Sequence, residues 1–477
     1  MAIATTAQDL APLLERVFLF DAFEGSYEIT GIEGRLPEWL RGSYFVNGPA
    51  RFERDGRRYK HWLDGDGMVG SLRFAESGVF LTTRFVTTPK LLQEDAAGKF
   101  LYRGFGTAFS ADQMRRKLML EPPVNVAVQM MGNRLLALGE QTLPYELDPV
   151  TLETIGEFDF GGRLNELSPF AAHAKIDSRL TNFGVSFSAT QPLLHLYEFD
   201  LQGDLLKRRR FPLEMQHSIH DFGVTPNHAV FFLSPLLMNF LRFWNEGISV
   251  MESLTWEPER GSSILITPRA HSDAPAFSIA AGRGYCLHVI NCFEAGDRLM
   301  VDVIELDEPV YREYQPIPDL FATVSAGRPV RFVVDTAAKK LVERIELGYE
   351  RSPDFPSIDA SLVGLPYDEF WMLGIAECGH PGRKFFNELV HGSWKTGSIS
   401  DIYRAPAGEY LGGEPVHVGH GEQGVVLVQH LMPASGSAEY LVFDSSAVRN
   451  GPIARLPLRH PVHPGFHASF RKSEVVA

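Results

Sequence analysis

Tyr145-Glu-Leu-Asp148, followed by Pro-Val-Thr-Leu-Glu-Thr-Ile-Gly-Glu-Phe-Asp-Phe160, reads as an alternating apolar strand, a polar turn and a second strand. The phrase returns as Tyr197-Glu-Phe-Asp200 before LQGDLLKRRRF, as Phe332-Val-Val-Asp335 before TAAKKLVERIEL, and as Leu441-Val-Phe-Asp444 before SSAVRNGPIARLPL. Each first strand ends in Asp, whose carboxylate can accept from the backbone N–H groups just ahead of it and so open a turn. Asp148 and Asp200 lie 52 residues apart, close to the roughly 40–50-residue period of propeller blades. Further hairpins fill the gaps, at Val69–Phe85 around Ser77-Gly78, Val126–Leu138 around Gly132-Asn133, and Val425–Phe443 around Ser435-Gly436. Almost the whole chain reads as short antiparallel strands without a strand–helix rhythm. That predicts an all-β closed assembly, a propeller, over a doubly wound sheet.

Longer insertions are expected near 107–121, 235–256 and 376–402. The middle one, PLLMNFLRFWNEGISVMESLTW, has apolar residues at mixed helical spacing and predicts a helical excursion on one face. A length of 477 residues alone suggests two or three domains. Closed repeat rings exceed that prior as single units, and no Pro/Gly/Ser linker divides the chain. One domain over residues 1–477 is the expectation.

Composition narrows the function. With 44% hydrophobic and 22% charged residues the chain is globular, and its 34 Phe predict that some rings line an apolar space. A net charge of −14 and a single dense basic run, Lys207-Arg208-Arg209-Arg210, argue against nucleic acid. That run is expected to be a solvated hairpin strand. The acidic balance disfavours electrostatic attachment to anionic membranes but leaves room for peripheral membrane contact through an apolar dip. Cys286, Cys292 and Cys378, an odd and sparse set with no CxxC spacing, argue against a disulfide framework and a Cys-rich zinc site. The opening MAIATTAQDLAPLLERV lacks the basic start and apolar core of a secretory signal, and no apolar stretch reaches about 18 residues. A cytoplasmic location is expected.

Sixteen histidines are present, and most must be ordinary surface or hydrogen-bonded residues. Four stand inside or at the entry of strand-like runs: Ala171-Ala-His173-Ala, Ser218-Ile-His220-Asp-Phe, Cys286-Leu-His288-Val and Gly465-Phe-His467-Ala. The intervals between them, 47, 68 and 179 residues, are too long for a local chelating loop. A propeller brings distant strand ends to one axis. His463 and His467 have the i, i+4 spacing of a helical metal pair, but Pro464 and Gly465 between them oppose a helix. His217 has no strand context of its own, and His417 and His420 sit in a Gly-rich segment expected to be a loop.

Asn47-Gly-Pro49 followed by His61-Trp-Leu-Asp-Gly-Asp-Gly-Met68 resembles the N-terminal signature of the carotenoid cleavage oxygenase family. That family includes apocarotenoid, carotenoid and stilbene cleaving enzymes and the visual-cycle retinoid isomerase. Ala137-Leu-Gly-Glu140, Ser218-Ile-His-Asp-Phe222, Leu287-His-Val-Ile-Asn291, Phe355-Pro-Ser-Ile358, Gly413-Glu-Pro-Val416 and Gly465-Phe-His467 match further family phrases, in family order. The resemblance implies a seven-bladed propeller with insertions capping the active site on one face. It also implies Fe(2+) on the axis, held by His173, His220, His288 and His467. Three carboxylates would orient ligand imidazoles: Glu140 on His220, Glu414 on His467, and Asp354, where the family has Glu, on His288. Asp is one methylene shorter, so its reach to His288 is open. His61 is expected to be structural.

The chemistry agrees with this set. Imidazole suits iron, and four neutral ligands leave the ion its full charge with room for O2 and substrate. A carboxylate on the far nitrogen fixes the tautomer and makes the ring a better donor. An electron-rich polyene can itself supply electrons for its cleavage by O2 to two carbonyl products. In stilbene-cleaving relatives a Lys precedes the first of these carboxylates. Gly139 stands there in this chain, which favours an apocarotenoid or carotenoid over a stilbenoid or vinylphenol. The apolar stretch Phe231–Phe243 is expected to serve as a substrate entrance. A metal-free WD-type binding propeller would show repeated Trp-Asp, and a hydrolase GxSxG, and the sequence has neither.

Overall fold

The computed structural model describes residues 11–473 other than 118, 166, 187–190, 270–273, 317–319, 350 and 380–381. The first ten residues, where a leader would begin, lie outside the described residues.

Seven antiparallel sheets form the blades of a propeller. Blades 2 to 6 each have four strands that follow the chain outward, over residues 127–157, 175–212, 223–282, 285–346 and 352–404. The ring is sealed at blades 7 and 1, where sequence-distant segments meet. Ala468–Lys472 enters blade 1 as its innermost strand beside Gly42–Ala50. Gly25–Ile29 pairs on that blade's outer edge with Gly78–Phe85. Glu33–Gly34 pairs with Pro452–Pro457 at the outer edge of blade 7, which begins at Tyr410–His420.

The Asp-turn phrase forms the outer hairpin of blades 2, 3, 5 and 7. Asp148 accepts from the N–H groups of Val150 and Thr151 at 2.9 and 2.7 Å, and Asp200 from Gln202 and Asp204 at 3.0 and 2.9 Å. Asp335 and Asp444 do the same with Ala338 and Ser446. Between blades, alternate residues interdigitate. Tyr44 and Leu72 of blade 1 share a buried cluster with Leu427 and Tyr440 of blade 7. Fully burying each such aliphatic side chain is worth about 1.5–3 kcal/mol. The basic run Lys207–Arg210 lies on the edge strand Leu205–Pro212, alternately exposed.

Several expectations need correction. The stretch 376–402 is only partly an insertion, because Glu388–Ser393 and Ser398–Arg404 are regular strands of blade 6. An insertion at 307–326, between two strands of blade 5, was not foreseen. In the middle insertion, Leu236–Met238 pairs with Leu254–Trp256 and encloses helices Phe240–Glu246 and Val250–Ser253. Helices also form at Ala11–Phe18 and Pro89–Ala97. The latter is marked in the sequence by Thr88 as N-cap, Pro89 in the first turn and Gly98 in the left-handed conformation at its end. Phe231, Phe232 and Leu233 are core residues of a blade strand, so the apolar stretch 231–243 splits into a buried half and a surface half. His417 is on strand Tyr410–His420, stacked on Trp371, and is no loop residue.

Candidate metal centre

His173, His220 and His467 stand just ahead of the innermost strands of blades 3, 4 and 1, and His288 lies within that of blade 5. Their ligand atoms all lie within 4.8 Å of one another. Nε2 of His173 is 2.9 Å from Nε2 of His220, and Nε2 of His288 is 3.2 Å from Nε2 of His467.

Backbone clamps hold these positions. Asn47, from the N-terminal signature, exchanges main-chain bonds with the 466–467 segment, donating to His467 O at 3.1 Å and accepting from Phe466 N at 2.7 Å. Its amide donates to Val124 O and Ala127 O at 3.0 Å each, tying blades 1 and 2 together beside the histidine. Gly48 must be glycine because a Cβ would meet Gly465 Cα at 2.7 Å. On the other side, Val289 N donates to Asp221 at 2.8 Å, across the irregular register that carries His288.

Three carboxylates approach the far ring nitrogens. Glu140 Oε1 is 2.6 Å from His220 Nδ1, Asp354 Oδ1 is 2.5 Å from His288 Nδ1, and Glu414 Oε1 is 3.5 Å from His467 Nδ1. The backbone beside each is irregular. Gln141 and Phe355 follow Glu140 and Asp354 at φ +54° and +51°, and Gly413 precedes Glu414 at φ +69°. A left-handed non-glycine costs on the order of 1 kcal/mol and persists only where the surroundings demand it. Here it turns a carboxylate out of strand alternation toward the axis. His173 differs: Asp221 Oδ1 is 3.7 Å from its Nδ1 and is held by Lys175 at 2.7 Å.

Electrostatics favour the neutral ring at His173 and His467 and oppose it at His288. Burial, then the three neighbouring imidazoles, push His173 well below the ordinary histidine range. Burial also lowers His467, with Glu414 opposing. For His288 burial acts downward, but Asp354 outweighs it and holds the ring above its usual value. In the neutral ring, with Nδ1–H donated to Asp354, His288 Nε2 is a lone pair facing His467 Nε2. That arrangement is repulsive without a cation between them. Contacts of 2.9–3.2 Å are the edges expected of nitrogens about 2.1 Å from one ion. The residues fit a metal.

The signature around His61 braces the site without joining it. Leu63 N donates to His61 Nδ1 at 3.1 Å, so Nε2 carries the proton and donates to Tyr311 O at 2.7 Å. Trp62 N donates to Tyr314 O at 2.7 Å. Tyr314 in turn donates its hydroxyl to Asp354 Oδ2. Asp64 accepts from Gly106 N and Thr107 Oγ1, fixing the loop that presents Phe105.

A cavity of about 140 Å³ runs from His220 and Glu140 outward. Its apolar lining includes Phe105, Met119, Leu120, Met238, Phe243 and Leu254. Two of the expected insertions thus supply the wall. Tyr311, from the unforeseen one, completes it with Gln141, Gln216, His217 and Ser218. These polar residues were not identified from the sequence as site residues, and only their position beside recognisable motifs could have drawn attention to them.

Residues 21–472 match the family model described as retinal pigment epithelial membrane protein. The chain belongs to this family. Its relatives are oxygenases of the carotenoid cleavage type, and this protein is an enzyme of that family. An apocarotenoid-15,15'-oxygenase from Synechocystis sp. is 29% identical over 94% of each chain. A lignostilbene-alpha,beta-dioxygenase isozyme III from Sphingomonas paucimobilis is 26% identical, also over 94% of each. The crystal structure of a cobalt-substituted Synechocystis apocarotenoid oxygenase, 27% identical, superposes with a TM-score of 0.86 over 97% of this chain and 99% of that one. The family is one of metalloenzymes, the axial histidine cluster could hold a metal ion, and the cavity reaches one of its four rings, His220.

Proposed function

We propose that this enzyme is an Fe(2+)-dependent dioxygenase that cleaves one conjugated C=C bond of an apocarotenoid or carotenoid with O2, placing one oxygen atom on each of two carbonyl products. The observation that carries this reading is the convergence of four imidazole rings at one point, one of which, His220, lines a largely apolar cavity. His173, His220, His288 and His467 would hold the ion, and Glu140, Asp354 and Glu414 would orient three of them. When bound, iron supplies the activation of O2 that a closed-shell polyene cannot achieve alone. The chain's own part is to orient the imidazoles, to keep the approach largely apolar, and to align the substrate.

At about 140 Å³ the cavity is small beside the roughly 300–1,000 Å³ of drug-sized pockets, and most of its lining is apolar. Gly139 lies outside the lining, and a Cβ there would sit 3.1 Å from Val124 Cα. No cation stands at that position to engage a phenolate. A stilbenoid or phenylpropanoid substrate is the second reading, favoured by similarity to the lignostilbene dioxygenase and to an isoeugenol monooxygenase from Pseudomonas putida (30% identical over 57% of each chain).

No helix among the described residues is long and apolar enough to cross a membrane. Leu241 and Trp244, 58% and 42% exposed, flank buried Phe243 at the cavity wall. Peripheral contact there by a cytoplasmic enzyme would let a membrane-dissolved polyene enter. The test is metal analysis of protein purified without added metal, followed by incubation with apocarotenoids and stilbenoids and mass identification of the products. Iron near one per chain and paired carbonyls from a polyene are expected; absence of carbonyl products from every polyene would sink the proposal.

A further inference from the structure

We infer that Gln216 and His217 form a docking point for a hydroxyl group on the substrate, where the cavity meets the surface. This rests on reading the cavity as the channel for a polyene or stilbenoid. Both side chains line that cavity, which ends at His220 and Glu140. Gln216 and Met238 also line an outer groove beside Phe240 and Leu241, so Gln216 stands between interior and surface.

Their hydrogen-bonding state defines the ligand. Gln216 Oε1 is buried and has no partner among the described residues. A buried amide oxygen left unpaired is a standing cost that an incoming donor removes. His217 Nδ1 lies 2.8 Å from Ser234 O. A carbonyl only accepts, so Nδ1 carries the ring proton and Nε2 is left as an acceptor. Burial lowers the pKa of His217, which keeps the ring neutral. Two acceptors from consecutive residues therefore stand in the channel lining, beside the polar residues Gln141, Ser218 and Tyr311.

Acceptors select a donor. An alcohol or phenol O–H satisfies them, whereas an aldehyde or ketone oxygen can only accept, from the Gln216 Nε2–H2 group, and leaves both acceptors unpaired. The segment is held in place beforehand: Met238 N donates to Gln216 O at 2.9 Å, and Ser218 N to Leu236 O at 2.8 Å. Its backbone is thus tied to the hairpin that forms the channel mouth. Neither residue is positioned to bind the metal, so the contribution is to orientation and choice of substrate.

The test compares kcat/KM of the iron-loaded full chain on two matched pairs: a ring-hydroxylated apocarotenal against its unhydroxylated counterpart, and 4-hydroxystilbene against stilbene. For whichever pair is cleaved, the hydroxylated member should be favoured about tenfold, chiefly through KM, as one or two net hydrogen bonds provide. Gln216→Met and His217→Phe should each move the ratio toward one, with iron content reporting on the integrity of the fold. If a variant fails to fold, fluorescence titration of wild-type protein with each pair should show the same preference. A wild-type ratio near one, or a preference retained in both variants, overturns the inference while leaving the cleavage reaction standing. Cleavage of neither pair overturns the reading of the channel and this inference with it.

Discussion

His288 Nδ1 stands 2.5 Å from Asp354 Oδ1, and Tyr314 donates its hydroxyl to the other oxygen of the same carboxylate. Aspartate therefore reaches the imidazole although it is one methylene shorter than glutamate. Phe355 N also donates to Oδ1 at 2.9 Å, so the carboxylate is held from three directions. Asp354→Asn is expected to weaken metal affinity about 10–100-fold, the range for partners of ligating histidines. Tyr314→Phe should cost less, and in the Asp354→Asn background should add little, because both act through one contact. Chelator competition measures all three; full additivity would show that Tyr314 does not act through Asp354.

Glu140 and Glu414 differ in their grip. Glu140 lies 2.6 Å from His220 Nδ1, whereas Glu414 lies 3.5 Å from His467 Nδ1 and also accepts from Ala468 N at 3.1 Å. Glu140→Gln should therefore cost more metal affinity than Glu414→Gln, with both folded by circular dichroism. The reverse order would mean that anchoring the 466–468 backbone matters more than the direct contact.

Removing a ring from the axis should remove the metal. His173→Ala, His220→Ala, His288→Ala and His467→Ala should each lose iron and product formation together, read by metal analysis and product assay. His463→Gln should keep its iron: His463 is buried beneath Phe20 and hydrogen-bonds Phe18 O at 3.2 Å, away from the cluster. Iron retained after loss of any one of the four would strike that residue from the set.

The blade hairpins were legible because their signal is local: a period-two apolar pattern closing on an Asp that caps its own turn. The four axial histidines were singled out by strand context, and their joint role came from the family resemblance, since no spacing within 47–179 residues encodes a meeting point. The cavity wall was less legible. Tyr311 and Tyr314 belong to an insertion with no repeat pattern, and they are positioned by bonds from His61 and Trp62 some 250 residues earlier. His217 is not a member of the histidine cluster, and its place in the cavity lining goes with a tertiary bond to Ser234 that no local pattern announces. The apolar run 231–243 misled because a buried blade strand and a surface helix share its composition.

His61 supplies a pH signature. Both its nitrogens are satisfied in the neutral form, and burial lowers its pKa to about 4. Between about 6.5 and 4 the unfolded chain binds a proton that the folded ring refuses. Stability from this group is full above 6.5, falls as the pH drops through that window, and levels off below 4, a change of ~3 kcal/mol. His61→Gln should flatten the pH dependence of urea unfolding between pH 7 and 5 relative to wild type. Parallel wild-type and variant curves would show that His61 does not contribute this dependence.

Substrate choice joins the two ends of the cavity. At one end His220 and Glu140 select no particular chain length, and behind the lining no lysine replaces Gly139 to pair with a phenolate. At the outer end Leu241 and Trp244 expose apolar surface beside the wall residue Phe243. A long apocarotenol gains from both: its polyene fills the apolar channel and its hydrophobicity concentrates it where those side chains project. It should be cleaved with at least ~10-fold higher kcat/KM than resveratrol, isoeugenol or a vinylphenol, as roughly two additional buried methylene equivalents would give. Leu241→Ser with Trp244→Ser should slow turnover of vesicle-borne polyene several-fold and of detergent-solubilised polyene much less, because loss of membrane contact affects acquisition and leaves the metal centre intact. Equal slowing in vesicles and detergent would place those residues in the channel proper, and faster cleavage of the phenols would make the stilbenoid reading the better one.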